Sequence, residues 1–169
     1  MQRIAIIGSP GAGKSTLSRQ LSARLGLPVI HLDAAYWRPG WVETPKDDWE
    51  QTVRGLTQGE SWIIDGNYSR TMDIRLAAAD TIIYLDFPRH LCVWRVLKRG
   101  IQHRGRTRPD MGPGCPEKLA DRDFLAWVWN YPSRSHPDTL QRLADCREAG
   151  KTVIRLCSPR AVRQFLESL

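Results

Sequence analysis

The stretch from Gly8 to Thr16, GSPGAGKST, constrains the fold more strongly than any other part of the chain. It has the spacing G-x-x-x-x-G-K-S, follows the apolar run RIAII and precedes the helical pattern STLSRQLSARLG. A strand, a glycine-rich turn and a helix in that order allow backbone N–H groups to surround a phosphate at the positive end of the helix. The sequence therefore predicts a phosphate-binding loop that connects a strand to a helix of an α/β fold.

The residue types inside this loop suit a nucleotide and a magnesium ion. The Lys14 ammonium group is expected to bridge the β- and γ-phosphates, and the Ser15 hydroxyl is suited to bind Mg²⁺. Thr16 is expected to support the α-phosphate from the same helix end. The other loop residues assigned to the nucleotide are Gly8, Pro10, Gly11, Ala12 and Gly13.

Apolar runs alternate with helical patterns along the rest of the chain. Besides RIAII, the predicted strands are LPVIHLD, SWIID, DTIIYLDF and KTVIRL. Strands that alternate with helices form a parallel sheet covered on both faces. The sequence therefore predicts a three-layer α/β/α fold with a five-stranded parallel sheet, in a single domain over residues 1–169. Ligands bind such sheets at the carboxyl ends of the strands.

Two connecting segments carry more local predictions. AAYWRPGWVE combines aromatic residues with helix breakers and is predicted to be a loop, after which Thr44 is expected to cap a helix. Pro132 and Pro137 are expected to interrupt the helical pattern that precedes the last strand, because each removes a backbone hydrogen bond.

The net charge of +7 is concentrated in one segment. Between Asp86 and Asp110 the chain has no acidic residue, so an anionic partner is expected against this segment. Its basic residues are Arg89, Arg95, Lys98, Arg99, Arg104, Arg106 and Arg108. The 4 cysteines are widely spaced, and neither a signal peptide nor a membrane-spanning apolar run is visible. A cytoplasmic protein with reduced thiols and no membrane partner is expected.

Asp65 ends the strand SWIID and is followed by Gly66. A carboxylate at this strand end faces the phosphate loop and is suited to hold Mg²⁺ through its water shell. The alternative is an aspartate that serves only an Asp-Gly turn.

The order of these motifs, with DGNYSRT after the third strand and an arginine-rich loop after the fourth, resembles the adenylate kinase-like branch of nucleoside monophosphate and small-molecule kinases. The resemblance covers essentially the whole chain. In that family the segment matching DGNYSRT reads D-G-F-P-R-T, which implies that Arg70 binds the phosphate of the acceptor. Asn67, Tyr68 and Ser69 depart from the pattern, so the identity of the acceptor stays open.

LGLPVIHLDAAYWRPGW resembles the first acceptor-binding segment of the same family. The resemblance implies that Asp33 orients an acceptor hydroxyl or accepts its proton, and that Arg38 binds an acceptor phosphate, although Arg38 is further from Asp33 than in the family. A helix cap and a solvated charge are the respective alternatives. Tyr36, which could stack on a base or line an apolar cleft, and Asn67 are assigned to the same pocket.

RVLKRGIQHRGRTRP resembles the short form of the lid of this family, at approximately residues 100–116. The resemblance implies that Arg95 lies on the adenine ring and that Arg99 reaches the phosphates. Arg104, Arg106 and Arg108 are expected to lie over the transferring phosphoryl group and to stabilise its charge. The resemblance also implies that Arg134, after the lid, acts on the phosphates, and that Pro159 and Arg160 contact the adenine. A solvated loop or a nucleic-acid surface is the alternative for the whole segment.

Together these features predict an ATP- and Mg²⁺-dependent phosphotransferase that acts as a monomer on a small acceptor, with a nucleoside monophosphate as the first candidate. A hydroxyl compound of the shikimate or gluconate type is an alternative acceptor. GNYSRT, RTRPDM, GCPEK and WVWNYP also resemble proteins labelled DNA topology modulation proteins, which makes an ATPase or regulator acting on DNA the second hypothesis. A nucleotide-binding protein without turnover is the third.

Overall fold

A five-stranded parallel sheet organises the computed structural model, which describes all residues from 1 to 169. The strands are β1 (Arg3–Gly8), β2 (Val29–His31), β3 (Trp37–Arg38), β4 (Val42–Glu43), β5 (Trp62–Asp65), β6 (Thr81–Leu85) and β7 (Thr152–Leu156). The sheet has the order β2-β5-β1-β6-β7, and β3 pairs with β4 as a separate hairpin. The helices are α1 (Lys14–Leu25), α2 (Leu32–Tyr36), α3 (Lys46–Leu56), α4 (Met72–Ala78), α5 (Arg89–Gln102), α6 (Arg122–Glu148) and α7 (Pro159–Glu167).

Both faces of the sheet are buried, as its continuous apolar runs predict. Ile4 and Ile6 of β1 join a core that contains residues of α1, α5 and α7, whereas Ala5 and Ile7 join a second core with residues of α3 and α4. The predicted three-layer α/β/α fold is therefore confirmed. Because β1 lies between β5 and β6, the loop that follows it begins at the centre of the carboxyl edge of the sheet. No helix combines the length and apolar character that crossing a bilayer requires.

The segment predicted to be a loop after β2 instead forms α2 and the β3–β4 hairpin. Its aromatic residues order it: the Tyr36 ring lies 5.0 Å from the ring of Trp37 and 5.0 Å from that of Trp49 in α3. Thr44 does not cap α3, because its hydroxyl donates to the Tyr36 carbonyl oxygen at 2.6 Å. The loop prediction was wrong because it counted breakers locally and could not see this packing.

Helix α6 continues through both prolines that were expected to interrupt it. A stripe at helical spacing is buried on this helix and includes Val128, Tyr131 and Leu143. The buried stripe favours the continuous helix although each proline removes one backbone donor. Tertiary packing thus overrides the local preference that the sequence prediction relied on.

Candidate active site

Two glycines of the loop between β1 and α1 have positive φ angles, and one of them is also in close contact with α5. Gly11 adopts φ +79, and a Cβ atom there would lie 2.3 Å from the carbonyl oxygen of Cys92 in α5. Gly13, at φ +97, is the N-cap residue of α1. Positive φ favours glycine at both positions, and at Gly11 the close approach also excludes any larger residue. The loop is therefore pressed against α5, and its N–H groups gather at the positive end of α1.

The ammonium group of Lys14 lies over this loop. Its Nζ donates to the carbonyl oxygens of Gly8 at 3.0 Å and Ser9 at 3.1 Å. Burial lowers the pKa of Lys14 from its usual value, while the charges of Asp33 and Asp65 act in the opposite direction. An ammonium group that is removed from water and bonded only to neutral carbonyls gains strongly from an anion.

Asp65 is buried at the carboxyl end of β5, beside α1. Its Oδ2 accepts a hydrogen bond from Ser18 Oγ at 2.5 Å and lies 2.6 Å from Nδ1 of His31. Burial opposes protonation of His31, but the hydrogen bond to Asp65 and the charge of Asp65 raise the pKa of the imidazole overall. Oδ1 of Asp65 carries no hydrogen bond, so it is available to a metal ion or to metal-bound water.

A buried arginine that the sequence analysis missed holds the DGNYSRT segment. Arg75 of α4 is fully buried, and its two terminal nitrogens donate to the carbonyl oxygens of Gly66 at 3.0 Å and Tyr68 at 3.2 Å. No carboxylate pairs with it, and burial lowers the pKa of Arg75 to about 10. The only signal in the sequence is one arginine within the apolar stretch of a short helix.

The segment after β5 also connects the phosphate loop to α6 and α2. Asn67 accepts from the Gly8 backbone N–H at 3.4 Å and donates to the Tyr131 hydroxyl at 2.7 Å. The Tyr68 hydroxyl donates to Asp33 Oδ1 at 2.8 Å. Burial raises the pKa of Tyr68, and the charge of Asp33 raises it further, so this hydroxyl stays a donor. The Asn67 side chain thus links the phosphate loop to α6, and the hydrogen bond from Tyr68 fixes the orientation of Asp33.

Asp33 and Tyr36, both assigned to the acceptor pocket, lie together in α2, where both are in contact with other side chains. Asp33 is in the first turn of α2, whose N-cap is His31, so the alternative of a helix cap does not hold. The Tyr36 ring lies 4.6 Å from the Tyr68 ring. This arrangement makes Tyr36 one wall of an aromatic cluster.

The two predicted acceptor arginines have different surroundings. Arg38 is exposed on the hairpin and pairs with Asp48 at 3.3 Å, which agrees with the alternative of a solvated charge. Arg70 is exposed in the 3₁₀ turn Ser69–Thr71 and has neither a side-chain hydrogen bond nor an ion pair. Of these two arginines, Arg70 is therefore the one free to bind an anion.

A cavity of ≈ 460 Å³ lies between the phosphate loop, α5 and α7. The Arg95 guanidinium group enters it, donating to the Ala12 carbonyl oxygen at 3.1 Å and lying 5.2 Å from the centre of the Phe87 ring. The predicted Pro159 lines the cavity, but Arg163 lines it in place of Arg160. Its volume and mixed lining are typical of a small-molecule pocket.

Ion pairs connect α5 and the lid, the segment 100–116, through Glu117, the residue that directly follows the lid. Arg99 Nε donates to Glu117 Oε1 at 2.8 Å, and Arg108 Nη1 donates to Asp110 Oδ2 at 2.8 Å. Arg108 Nε also lies 2.8 Å from Glu117 Oε2, as a charge contact without hydrogen-bond geometry. The sequence analysis did not single out Asp110 or Glu117, because their partners are known only from the folded chain.

The outer half of the lid packs on the β3–β4 hairpin. The Gly40 N–H donates to the Gly114 carbonyl oxygen at 2.8 Å, and Trp41 Nε1 donates to the Pro116 carbonyl oxygen at 2.9 Å. The Cys115 thiol is 3.3 Å from the Arg38 carbonyl oxygen. The lid is thus folded onto the acceptor-side hairpin.

Three arginines assigned to the phosphates take no part in the buried network. Arg104 and Arg106 are exposed in the lid and have no side-chain hydrogen bond or ion pair. Arg134 is exposed on α6 and lines a smaller cavity of ≈ 210 Å³ together with Asn67. These positions leave the three side chains free to reorient, and they put Arg134 beside the DGNYSRT segment.

Oxygen atoms around Ser15 fit a magnesium ion that arrives with a nucleotide. Mg²⁺ prefers oxygen ligands and is commonly held by one or two carboxylates together with phosphates and water. Ser15 is the second residue of α1, and the free Oδ1 of Asp65 lies at the neighbouring strand end. No group of three or more His, Cys, Asp and Glu side chains is arranged to hold a metal by itself. The phosphates would therefore have to supply part of the coordination.

Two of three relatives with similar sequences carry a kinase name, and the third is uncharacterised. The "Putative adenylate kinase" of Pyrococcus furiosus is 27% identical over 125 residues, which cover 70% of this chain and 64% of that protein. The protein of the same name from Thermococcus gammatolerans is 27% identical over 70% of this chain, and the chain spans 65% of its length. "Uncharacterized protein YqaC" of Bacillus subtilis is 28% identical over 77% of this chain and 72% of that protein. The chain therefore spans slightly less than two thirds of the first two relatives. No protein-family model matches it.

Solved structures with the same fold include two shikimate kinases. The enzyme from Acinetobacter baumannii, in complex with shikimate, has a TM-score of 0.62 and 17% identity, covering 99% of this chain and 90% of that chain. The enzyme from Bacteroides thetaiotaomicron has a TM-score of 0.62 and 14% identity, covering 99% of this chain and 95% of that chain. At this identity the likeness establishes the fold, which is that of P-loop kinases.

Proposed function

We propose that this chain, which resembles adenylate kinase-like P-loop kinases in sequence and in fold, transfers the γ-phosphoryl group of ATP to a small acceptor. The observation that carries the proposal is the arrangement around Lys14. This half-buried ammonium group lies over a glycine loop whose residues Ala12 and Gly13 line a cavity of ≈ 460 Å³, and the charge of Asp33 acts on it.

The nucleotide is proposed to bind along the first half of this arrangement. The loop from Gly8 to Thr16 would hold the phosphates through its N–H groups, and Arg95 and Pro159 would enclose the base in the cavity. Ser15 and Asp65 would hold Mg²⁺, which when bound neutralises charge on the β- and γ-phosphates.

A nucleoside monophosphate is the acceptor that the free cation Arg70 favours, because its phosphate offers an anion to bind. Transfer breaks the bond between the γ-phosphorus and the bridging oxygen of ATP, forms a bond from that phosphorus to an acceptor oxygen, and leaves ADP. A phosphate oxygen as acceptor has no proton to lose, whereas a hydroxyl acceptor would pass its proton to Asp33. Lys14 and the lid arginines contribute mainly by positioning and by stabilising negative charge.

A DNA-stimulated ATPase is the second candidate. The observation in its favour is that Arg104 and Arg106 are exposed and unpaired at the tip of a basic segment. Binding through such phosphate contacts should weaken steeply as salt concentration rises, whereas turnover of a small acceptor should survive moderate salt.

The test is formation of ADP from Mg²⁺ and ATP in the presence of nucleoside monophosphates, small hydroxy acids, sugars or duplex DNA. We expect one nucleoside monophosphate to be converted to its diphosphate, and Lys14→Ala to lose at least about 100-fold in rate. Lys46→Ala, at an exposed lysine of α3, is the matched control and should keep full activity. Turnover with a hydroxy acid or sugar would change the acceptor class, and stimulation by DNA alone would replace the proposal with the second candidate.

A further inference from the structure

Two cations bind backbone carbonyl oxygens around helix α4. Lys151 Nζ donates to three carbonyl oxygens at the carboxyl end of the helix, at distances from 2.5 to 2.9 Å. A helix leaves its last carbonyl oxygens without partners, so Lys151 has an ordinary capping role. Arg75, in the middle of the helix, donates instead to the carbonyl oxygens of Gly66 at 3.0 Å and Tyr68 at 3.2 Å. Arg75 therefore holds a segment that lies before the helix.

The guanidinium group of Arg75 is unfavourable for stability at this buried position. The residue is fully buried, no carboxylate pairs with it, and its Nε atom has no hydrogen-bond partner. A buried charge without an ion-pair partner destabilises the fold, and an unsatisfied N–H adds to the loss. An apolar side chain of similar length would fill the space without either penalty. The two hydrogen bonds are therefore expected to serve the segment that they hold.

The two carbonyl groups that Arg75 binds belong to residues on either side of Asn67. The terminal nitrogens of a planar guanidinium group have a rigid spacing, so both carbonyl groups are held at a fixed separation. The Tyr68 carbonyl oxygen also accepts from the Thr71 N–H at 3.2 Å, which closes the 3₁₀ turn that contains Arg70. Arg75 thus fixes both this turn and the backbone that leads into it.

Three side chains of the held segment belong to the candidate site or bind residues of it. Asn67 accepts from the Gly8 N–H of the phosphate loop at 3.4 Å. The Tyr68 hydroxyl donates to Asp33 Oδ1 at 2.8 Å. Arg70 is exposed and has neither a side-chain hydrogen bond nor an ion pair. A shift of the backbone in this segment would therefore disturb all three side chains together.

We propose that Arg75 is a positioning residue of the acceptor site, which acts through the backbone of Gly66 and Tyr68 and does not touch the acceptor. This inference rests on the proposed function, because it concerns the acceptor of that reaction. Arg75 keeps Asp33 oriented through Tyr68, and it fixes Arg70 relative to the phosphate loop. Misplacing such groups by about 1 Å can slow a reaction about 100-fold, so a distortion too small to unfold the protein still reduces turnover.

The test compares Arg75→Met and Arg75→Lys with Lys151→Met in the full-length protein. Lys151→Met is the matched control, because it also removes a cation from backbone carbonyl oxygens of α4, but next to the start of β7, at the edge of the sheet opposite the phosphate loop. Steady-state kinetics give kcat and the KM values for ATP and for the nucleoside monophosphate, hydroxy acid or sugar that the parent protein phosphorylates. Calorimetry gives the affinity for ADP, and urea denaturation gives the stability of each variant.

We expect Arg75→Met to raise the KM of the acceptor about tenfold and to lower kcat, with the KM of ATP and the affinity for ADP unchanged. Arg75→Lys keeps the charge but not the fork of two donors, so its acceptor KM should lie between those of Arg75→Met and the parent. Lys151→Met should lose stability and keep parental kinetics.

Arg75→Lys decides the outcome even if Arg75→Met does not fold. A parental acceptor KM in Arg75→Lys would overturn the inference alone, because the charge would then be sufficient without the fork. Equal changes in the KM values of acceptor and ATP, or the same changes in Lys151→Met, would also overturn it, since they would show a general loss of stability. A parent protein that phosphorylates no acceptor would overturn the proposed function, and the inference with it.

Discussion

The phosphate loop and the lid border the same candidate site, but different forces hold them. Backbone geometry fixes the loop, since Gly11 packs where a single added carbon would overlap the Cys92 carbonyl oxygen. Charged side chains hold the inner half of the lid, through pairs that connect Arg99, Glu117 and Arg108. A ligand phosphate can replace a carboxylate as the partner of an arginine, but it cannot replace a packing contact of the backbone. The loop is thus preformed, whereas the lid is able to exchange its contacts.

Replacing equivalent glycines in the two regions gives the largest expected effect. Gly11→Ala combines φ +79 with a Cβ atom 2.3 Å from a backbone oxygen, so we expect a loss of about 3 kcal/mol in unfolding free energy. Gly105→Ala in the lid has φ +72 but no atom within 4 Å of the new Cβ, so the loss should be about 1 kcal/mol. Urea denaturation measures both. Equal losses would show that strain in φ, and not packing against α5, determines the cost.

Arg75 holds the segment after β5 through two backbone carbonyl oxygens, and replacing it should have the next largest effect on stability. Arg75→Met leaves the carbonyl oxygens of Gly66 and Tyr68 without donors in a buried place, which should cost about 2 kcal/mol. Arg75→Lys keeps one donor and should recover part of the loss. Thermal and urea unfolding provide the measurement. If the methionine variant were as stable as the parent, the two hydrogen bonds would contribute nothing net.

Removing the Glu117 carboxylate, which pairs with Arg99 and with Arg108 of the lid, tests the region that charged side chains hold. Glu117→Gln leaves the charges of Arg99 and Arg108 poorly compensated, which should lower the free energy of local lid opening by about 1 kcal/mol. Trypsin should then cut after the exposed Arg104 or Arg106 several times faster, with little change in global unfolding. Glu50→Gln, which breaks an exposed pair with Arg54, is the control and should be cut at the parental rate. Global unfolding that fell in parallel would mean that the lid does not open on its own.

The smallest expected effect concerns His31, which lies between the two regions. Asp65 raises the pKa of His31, so the stabilisation from this pair is fully present below the usual histidine pKa and is lost as pH rises through the raised value. The parent protein should therefore lose stability between about pH 6 and pH 8 relative to His31→Gln, in which this titration is absent. Urea denaturation over this pH range is the measurement. Parallel stability curves would mean that His31 has the same pKa in the unfolded chain.

The same division explains what could be predicted from the sequence. The sheet, the order of its elements and the glycine-rich loop between β1 and α1 follow from local patterns, because the loop is built from neighbours in the chain. Asp110, Glu117 and Arg75 escaped prediction because the folded chain alone defines their partners, as Arg99 and Glu117 show across 18 positions. The hairpin and the unbroken α6 were not predicted for a related reason. Aromatic packing orders the hairpin, and a buried stripe favours the continuous α6, although both segments contain helix breakers.

Under the proposed function, the hydrogen bonds from Gly40 and Trp41 to the outer half of the lid would affect the order of events in the reaction cycle. Because the lid and the β3–β4 hairpin are hydrogen-bonded to each other, they cannot move away from the site independently. One opening movement would then expose both ends of the site, so that both products leave within the same event. The rate of that movement, and therefore the strength of a few backbone hydrogen bonds far from the reacting atoms, would limit how often the cycle repeats.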